Sequence, residues 1–274
     1  MTTEGHTRRF PPLSVGKGAF IRELVRDKRT RDRERAFVLE GEKPVLELQR
    51  RDAAAVLTIV MTLDYLDRCE LARRRVFERS STPVYLCRQS VFEGLSDVRT
   101  TQGILAVVTR PEWNESALLA RPRLLGLYGD RLQDPTNVGV MIRTALAFGL
   151  DGFWLSRDSA DVFNPKVVRG TAGAVLSLPT FSSADPAALV ERGCALAAAV
   201  PAGHRSQPIQ AITQLPPRAL LAFGNESGGL SDEVLSRAAL RFHIPVSRAV
   251  ESLNVATAAA IAMYHFSGLK QQEG

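Results

Sequence analysis

The chain has 274 residues, 45% hydrophobic and 23% charged, which suits one large or two ordinary domains and excludes a disordered chain. No apolar run approaches a membrane span, and the opening "MTTEGHTRRFPPLS" lacks the apolar core of a secretory signal. The net charge of +6 and the pI of about 9.6 modestly favour a polyanionic partner.

Three widely spaced cysteines, Cys69, Cys87 and Cys194, give neither a disulfide framework nor a zinc cluster, as expected of a cytoplasmic protein with reduced thiols. From Arg22 to Arg35, seven basic residues mix with four acidic ones, and "LARRRVF" (Leu71 to Phe77) is a second basic cluster. Each reads equally as a solvated helix face or as a set of phosphate contacts.

In chain order, "AFIRELVRDKR" has helical apolar spacing, "AFVLEG" reads as a strand and "KPVLELQRR" as a helix. "VLTIVMT", "PVYLC" and "GILAVVT" are further strands. Together they predict a small α/β domain over residues 13–110. "RPEWNESALLARPR", with two prolines and no clear period, reads as a linker.

A second domain is expected over residues 121–274. "RLLGLYG" is a strand, "TNVGVMIRTALAFGL" a helix ending at Gly149, and "GFWLS" a strand. "PKVVRGTAGAV" reads as a helix, "CALAAAV" as a strand or a helix end, and "ALLAFG" and "RFHIPV" as strands. "SLNVATAAAIAMYHFSGL" closes the chain as a helix. Such alternation predicts a parallel sheet covered on both faces.

The turn "GNESGG" follows a strand, so in an open parallel sheet it belongs at the carboxyl edge, where ligands bind. It has neither the lysine and spacing of a Walker loop nor the glycine spacing of the dinucleotide fingerprint. Taken alone, it is as compatible with an ordinary tight connection as with a cradle for a ligand. Two other stretches accompany it. In "QDPTNVGVMIRTALAFG", Asn137 stands at the helix start with Arg143 six residues on. In "HIPVSRAVESLNVATAAAIA", Ser252 and Asn254 stand at the mouth of the last helix.

In this order the three stretches resemble the three signature motifs of the SpoU/TrmH family of RNA ribose 2′-O-methyltransferases, in the SPOUT superfamily: Asn-x-Gly-x-x-x-Arg, Gly-x-Glu-x-x-Gly, and Ile-Pro followed by Ser-Leu-Asn-Val. "AFVLEGEKPVLEL" and "TTQGILAVV" resemble the substrate-binding domain of rRNA-directed members. Val246 stands where methionine is common, and Ser247-Arg248-Ala249-Val250 replaces a loop that often carries glycine.

The resemblance implies a parallel-sheet α/β catalytic domain with a deep trefoil knot and an S-adenosylmethionine cofactor. It implies cofactor contacts at Gly224, Ile244 and Leu253, with Asn225 and Val246 beside them and Val200 and Pro201 completing the pocket. It implies Arg143 as the catalytic residue, in a set with Asn137, Glu226, Ser252 and Asn254. An arginine stays protonated, so its chemical role is to fix the RNA and stabilise the developing alkoxide rather than to act as a base. Asn137 also reads as a helix cap, and Glu226 equally as a shaper of its turn. Arg169 and Lys166 are candidate RNA phosphate contacts, with a solvent-facing helix edge the alternative for Lys166.

The implied partners are RNA, 23S rRNA before tRNA, and a second copy of the chain packed through the catalytic domain; neither DNA nor membrane is expected. A non-catalytic RNA-binding protein on the same scaffold is the alternative from another class. His204, His243 and His265 share no metal-ligand spacing, so no metal is expected.

Overall fold

The structure is a computed structural model that describes residues 10–98, 100–247, 249–250 and 252–272; Arg248, in the loop that departs from the family pattern, lies outside the described residues. The chain forms two compact units. The first takes in the chain up to Pro111 together with Phe163–Arg169, and the second holds Glu112–Val162 and Gly170–Gly274.

The first unit is built on strands β1 (Ala36–Glu40), β2 (Val56–Thr62), β3 (Val84–Cys87) and β4 (Ile104–Thr109), in the order β1-β4-β2-β3. β4 runs antiparallel to both of its neighbours, and β2 and β3 are parallel. Val38, Val60, Leu105 and Val107 bury one face of the sheet against Ile21 and Leu24 of the helix Val15–Arg26. This is the small α/β arrangement that the alternating pattern predicts.

Part of the basic excess serves folding. Arg31 is buried and donates from Nη1 to the carbonyls of Leu24 (2.7 Å) and Val25 (3.2 Å), which the end of the preceding helix leaves free. Arg74 is buried too, its Nε 3.1 Å from Glu78 Oε1. The segment Phe163–Arg169 joins this unit through ring contact between Phe163 and Phe37, centroids 5.0 Å apart, and through the Arg110 guanidinium, 4.5 Å from the Phe163 centroid.

The second unit is a seven-stranded sheet, parallel throughout, in the order β7-β6-β5-β10-β8-β11-β9. Its strands are β5 (Leu124–Asp130), β6 (Phe153–Leu155), β7 (Thr180–Ser182), β8 (Ala195–Ala199), β9 (Gln207–Pro208), β10 (Arg218–Gly224) and β11 (Ala238–His243). Every residue of β5 is buried, as a strand covered on both faces requires. The last helix, Val255–Gln272, packs on β10 and on the helix Pro135–Ala147.

Several local expectations change. The linker stretch contains the helix Glu115–Leu119, whose Leu118 and Leu119 enter the core of the second unit while Glu115 accepts from Trp154 Nε1 at 2.8 Å. Its helical signal is only one turn long, too short to show as a period. The helix from Pro165 stops at Thr171, because Ala172 (φ 49°) and Gly173 (φ 93°) turn left-handed. "CALAAAV" resolves as strand β8, paired on both sides. "RFHIPV" leaves the sheet at His243, so Ile244 to Val246 form a loop. β7 and β9 were too short to read from sequence.

Candidate active site at the carboxyl edge of the parallel sheet

In a parallel sheet every strand ends on the same edge, and the register fixes which ends are level. Gly224 lies opposite Asp130, Ala222 opposite Ala198, and Phe242 opposite Ala199. The loops that begin at Gly224, Val200 and Ile244 therefore leave three neighbouring strands side by side, and Val200 N donates to Phe242 O at 2.9 Å. Val200, Ile244 and Leu253 are half-buried, and Pro201 and Val246 are exposed. The loops after β8 and β11 thus carry an apolar margin, with no charged side chain among these five.

The glycine turn is closed on itself. A Cβ built at Gly224 would fall 2.1 Å from Gly229 C and 2.2 Å from Leu230 N, both backbone atoms that cannot swing aside. The packing of its own chain is thus enough to demand glycine at 224. Gly229 sits at φ 63° with open space at its Cβ position. Asn225 holds the turn from inside: its N–H donates to Gly229 O (3.1 Å), and its Oδ1 accepts from Ser227 N (2.9 Å) and Gly228 N (3.0 Å). Its Nδ2 donates to Arg131 O at 3.0 Å.

The three motifs meet in one chain of hydrogen bonds. Asn137, only 5% exposed, donates from Nδ2 to Glu226 Oε1 at 2.9 Å, and its Oδ1 accepts from Asn254 Nδ2 at 3.0 Å. Asn254 Oδ1 accepts from Ala256 N (2.9 Å) and Thr257 N (3.3 Å), so Asn254 caps the last helix while its amide reaches Asn137. Asn137 is not itself a cap. That role belongs to Asp134, which accepts from Thr136 N at 2.8 Å ahead of Pro135. Ser252 is exposed, two residues ahead of Asn254.

Arg143 does not join this group. Six residues along the helix is roughly two thirds of a turn away in direction. Arg143 is exposed, on a stripe with Val140 and Leu146. On the last helix Ile261 and Tyr264 are exposed as well, Tyr264 to 71%, and the Tyr264 ring lies 5.8 Å from that of Phe148. Lys166 is exposed. Arg169, expected at an RNA phosphate, has its guanidinium taken up by a fork to Asp97, with Nη2 to Oδ2 at 2.9 Å. Sequence reasoning missed Asp130, which ends β5 opposite Gly224, and Arg131, which follows it. Their signal was a charged pair closing an otherwise apolar strand, in "YGDR". Among the described residues no group of His, Cys, Asp and Glu side chains could hold a metal ion.

The second unit is thus an all-parallel α/β domain with a polar group and an apolar margin at the carboxyl edge of its sheet, the edge where open α/β sheets place their ligand sites. Residues 125–264 match the model of the SpoU rRNA Methylase family, and residues 20–106 that of the MRM3-like substrate binding domain. The chain belongs to the SpoU rRNA methylase family. It is 32% identical over 244 residues to the 23S rRNA (guanosine(2553)-2′-O)-methyltransferase RlmP of Bacillus subtilis, covering 88% of this chain and 92% of that one. An uncharacterized tRNA/rRNA methyltransferase of Synechocystis sp. is 36% identical over 185 residues, which span 66% of this chain and 65% of the relative's own length. The SpoU methyltransferase AviRb of Streptomyces viridochromogenes, solved in complex with the cofactor AdoMet, shares the fold at a TM-score of 0.82 and 23% identity, over 95% of this chain and 99% of that one.

Proposed function

We propose that the chain is an S-adenosylmethionine-dependent RNA ribose 2′-O-methyltransferase acting on 23S rRNA. The observation that carries this reading is the chain of hydrogen bonds Glu226–Asn137–Asn254. It ties all three motifs together beside an apolar margin on the same sheet edge. The similarity to a 23S rRNA methyltransferase over most of both chains supports the substrate.

The margin fits the cofactor. Half-buried Val200, Ile244 and Leu253 offer flat apolar contact for an adenine, with Pro201 and Val246 at the rim. Asn225 is committed to the turn, its backbone N–H and C=O to Gly229 and its side chain to Ser227, Gly228 and Arg131, so its part in cofactor binding is to fix the loop that begins at Gly224. When bound, S-adenosylmethionine supplies an electrophilic methyl group. The protein's part is to bring a ribose 2′-oxygen into line and to stabilise the charge that grows on it. The Asn137 amide fixes the Glu226 carboxylate and the Asn254 side chain relative to each other, and Ser252 lies exposed beside them as a further polar contact. Arg143 supplies the cation that holds the RNA and offsets the alkoxide.

Because Arg143 faces away from Asn137 within one copy, the reading requires a second copy to complete the site. The exposed stripe of Val140, Leu146, Ile261 and Tyr264 around Arg143 supports a homodimer packed through the catalytic domain. The same reading assigns residues 13–110 to RNA binding and 121–274 to catalysis, includes the trefoil knot in the catalytic domain, and places the protein in the cytoplasm with its ribosomal substrate. The match to a substrate-binding domain over residues 20–106 supports the first assignment. Exposed Lys166 is a phosphate contact, and Arg169 serves the fold through Asp97 instead.

Ribose-methylation mapping of total RNA at nucleotide resolution, from cells with and without the gene, tests the function. Loss of one 23S rRNA 2′-O-methyl group is expected. Loss of a tRNA mark instead would overturn the substrate, and no change in any RNA would overturn the activity.

A further inference from the structure

Arg131 is one of a few non-glycine residues with positive φ, at 56°. A long side chain disfavours that conformation, so what holds Arg131 there bears on why it is present. Two serines hold the backbone: Arg131 N donates to Ser156 Oγ at 2.7 Å and Leu132 N to Ser159 Oγ at 3.1 Å. From that fixed point, three bonds reach across to the turn after β10. Arg131 O accepts from Asn225 Nδ2 (3.0 Å), and Arg131 Nη2 donates to Gly229 O (3.2 Å). The neighbouring Asp130 carboxylate, buried at 4% exposure, accepts from Ser231 N at 2.7 Å. The turn is thus gripped at its entry (Asn225), at its closing residue (Gly229) and just beyond it (Ser231), by two consecutive residues about a hundred positions earlier in the chain. Asp130 Oδ1 also lies 3.6 Å from Arg131 Nε, which orients the guanidinium.

We propose that Arg131 is a positioning residue: its left-handed backbone aims both its carbonyl and its guanidinium at the Asn225–Gly229 turn and holds that turn in the shape that receives the cofactor. The proposal rests on the cofactor reading above. A residue chosen only for its backbone would be glycine or asparagine, which adopt positive φ at little cost. Neither would reach Gly229 O. Loss of the guanidinium leaves the Asn225 bonds and the Asn225–Gly229 bridge intact and removes one of two donors to Gly229 O, so the effect falls on ligand binding before it falls on the fold.

The test uses the full chain and three variants, Arg131→Gly, Arg131→Asn and Arg131→Lys. Titration calorimetry with S-adenosylmethionine and S-adenosylhomocysteine is combined with thermal melting and with hydrogen exchange at residues 227–231. The Gly and Asn variants are expected to melt no lower than the wild type, to exchange faster at Gly229 and Leu230, and to bind the cofactor about tenfold more weakly, the effect of losing one charge-assisted hydrogen bond. Arg131→Lys, which keeps a donor, is expected to recover part of the affinity. If the wild type binds and the Gly and Asn variants bind equally well, the clamp is refuted and the cofactor reading stands. If the wild type binds neither ligand, the cofactor reading fails and takes the proposal with it. Unfolding of both the Gly and Asn variants would make Arg131 a requirement of the fold and would also overturn the proposal.

Discussion

Replacing Asn137 by alanine tests whether the three motifs are energetically joined or merely adjacent. The substitution removes two hydrogen bonds: a neutral one from Asn254 at 3.0 Å and a charge-assisted one to Glu226 at 2.9 Å. A neutral bond contributes about 1 kcal/mol net, and a charged acceptor roughly doubles that. Glu226 is exposed, however, so water replaces much of what it loses, and about 1 kcal/mol is the better figure there too. The sum is about 2 kcal/mol, or roughly 4–8 °C in the melting temperature of a unit this size. Asn254→Ala costs a similar amount, because it loses both the bond to Asn137 and a helix cap worth about 1 kcal/mol. The double variant should fall short of the sum of the two by about 1 kcal/mol, the energy of the shared bond. Urea denaturation of the four proteins measures this coupling, and cofactor titration shows whether the site keeps its ligand. Strict additivity, within about 0.3 kcal/mol, would show that the bond contributes nothing and that the motifs are held in place by packing alone.

Three further outcomes are expected. Gly224→Ala forces a methyl group to 2.1 Å from Gly229 C and must open the bridge between Asn225 and Gly229, for a loss of about 3 kcal/mol or more in a melting experiment; a loss under about 1 kcal/mol would mean the turn is loose. Arg143→Ala, on an exposed stripe, should leave the melting temperature within about 2 °C of wild type and abolish methyl transfer to RNA; retained activity would remove it from the catalytic set. Burial raises the Glu40 carboxyl above its ordinary value of 4.5, against the opposing pull of the Ser96 hydroxyl and the Arg169 guanidinium. The folded chain therefore holds this proton to higher pH than the unfolded chain does, so stability falls as pH rises from about that value through the folded pKa. Glu40→Gln should flatten that decline in melting curves taken between pH 4 and 7, and an unchanged slope would assign it to other groups.

The parallel sheet was legible because β5, β8 and β10 are apolar runs of five to seven residues, and a helix of clear period follows β5. The two- and three-residue strands β7 and β9 were not, since so few residues carry no pattern. At the site, the residue types were visible and their partnerships were not. Asn137 read as a cap or a member of the catalytic set, and only the structure shows Asp134 in the capping place and Asn137 between Glu226 and Asn254. The glycine turn read equally as a tight connection or a cradle, and the close approach of Gly229 to Gly224 could not be seen from spacing. Arg169 read as a free cation because Asp97 lies 72 residues away, a distance over which spacing gives no warning. Arg131 showed only as half of a charged pair after an apolar strand; its positive φ gave no signal, because it is imposed from outside by Ser156 and Ser159.

The bonds that assemble the polar group join residues 89 and 117 positions apart. Contacts of that range close large loops and form late in folding, after the local helices and the nearest strand pairs. Asn254 caps the last helix, so the group has no complete form until that helix has docked on β10. A partly folded chain therefore holds all the strands of a ligand-binding sheet without the constellation at its edge. Acquisition of the site in a refolding experiment should follow the slowest phase, not the first appearance of helix.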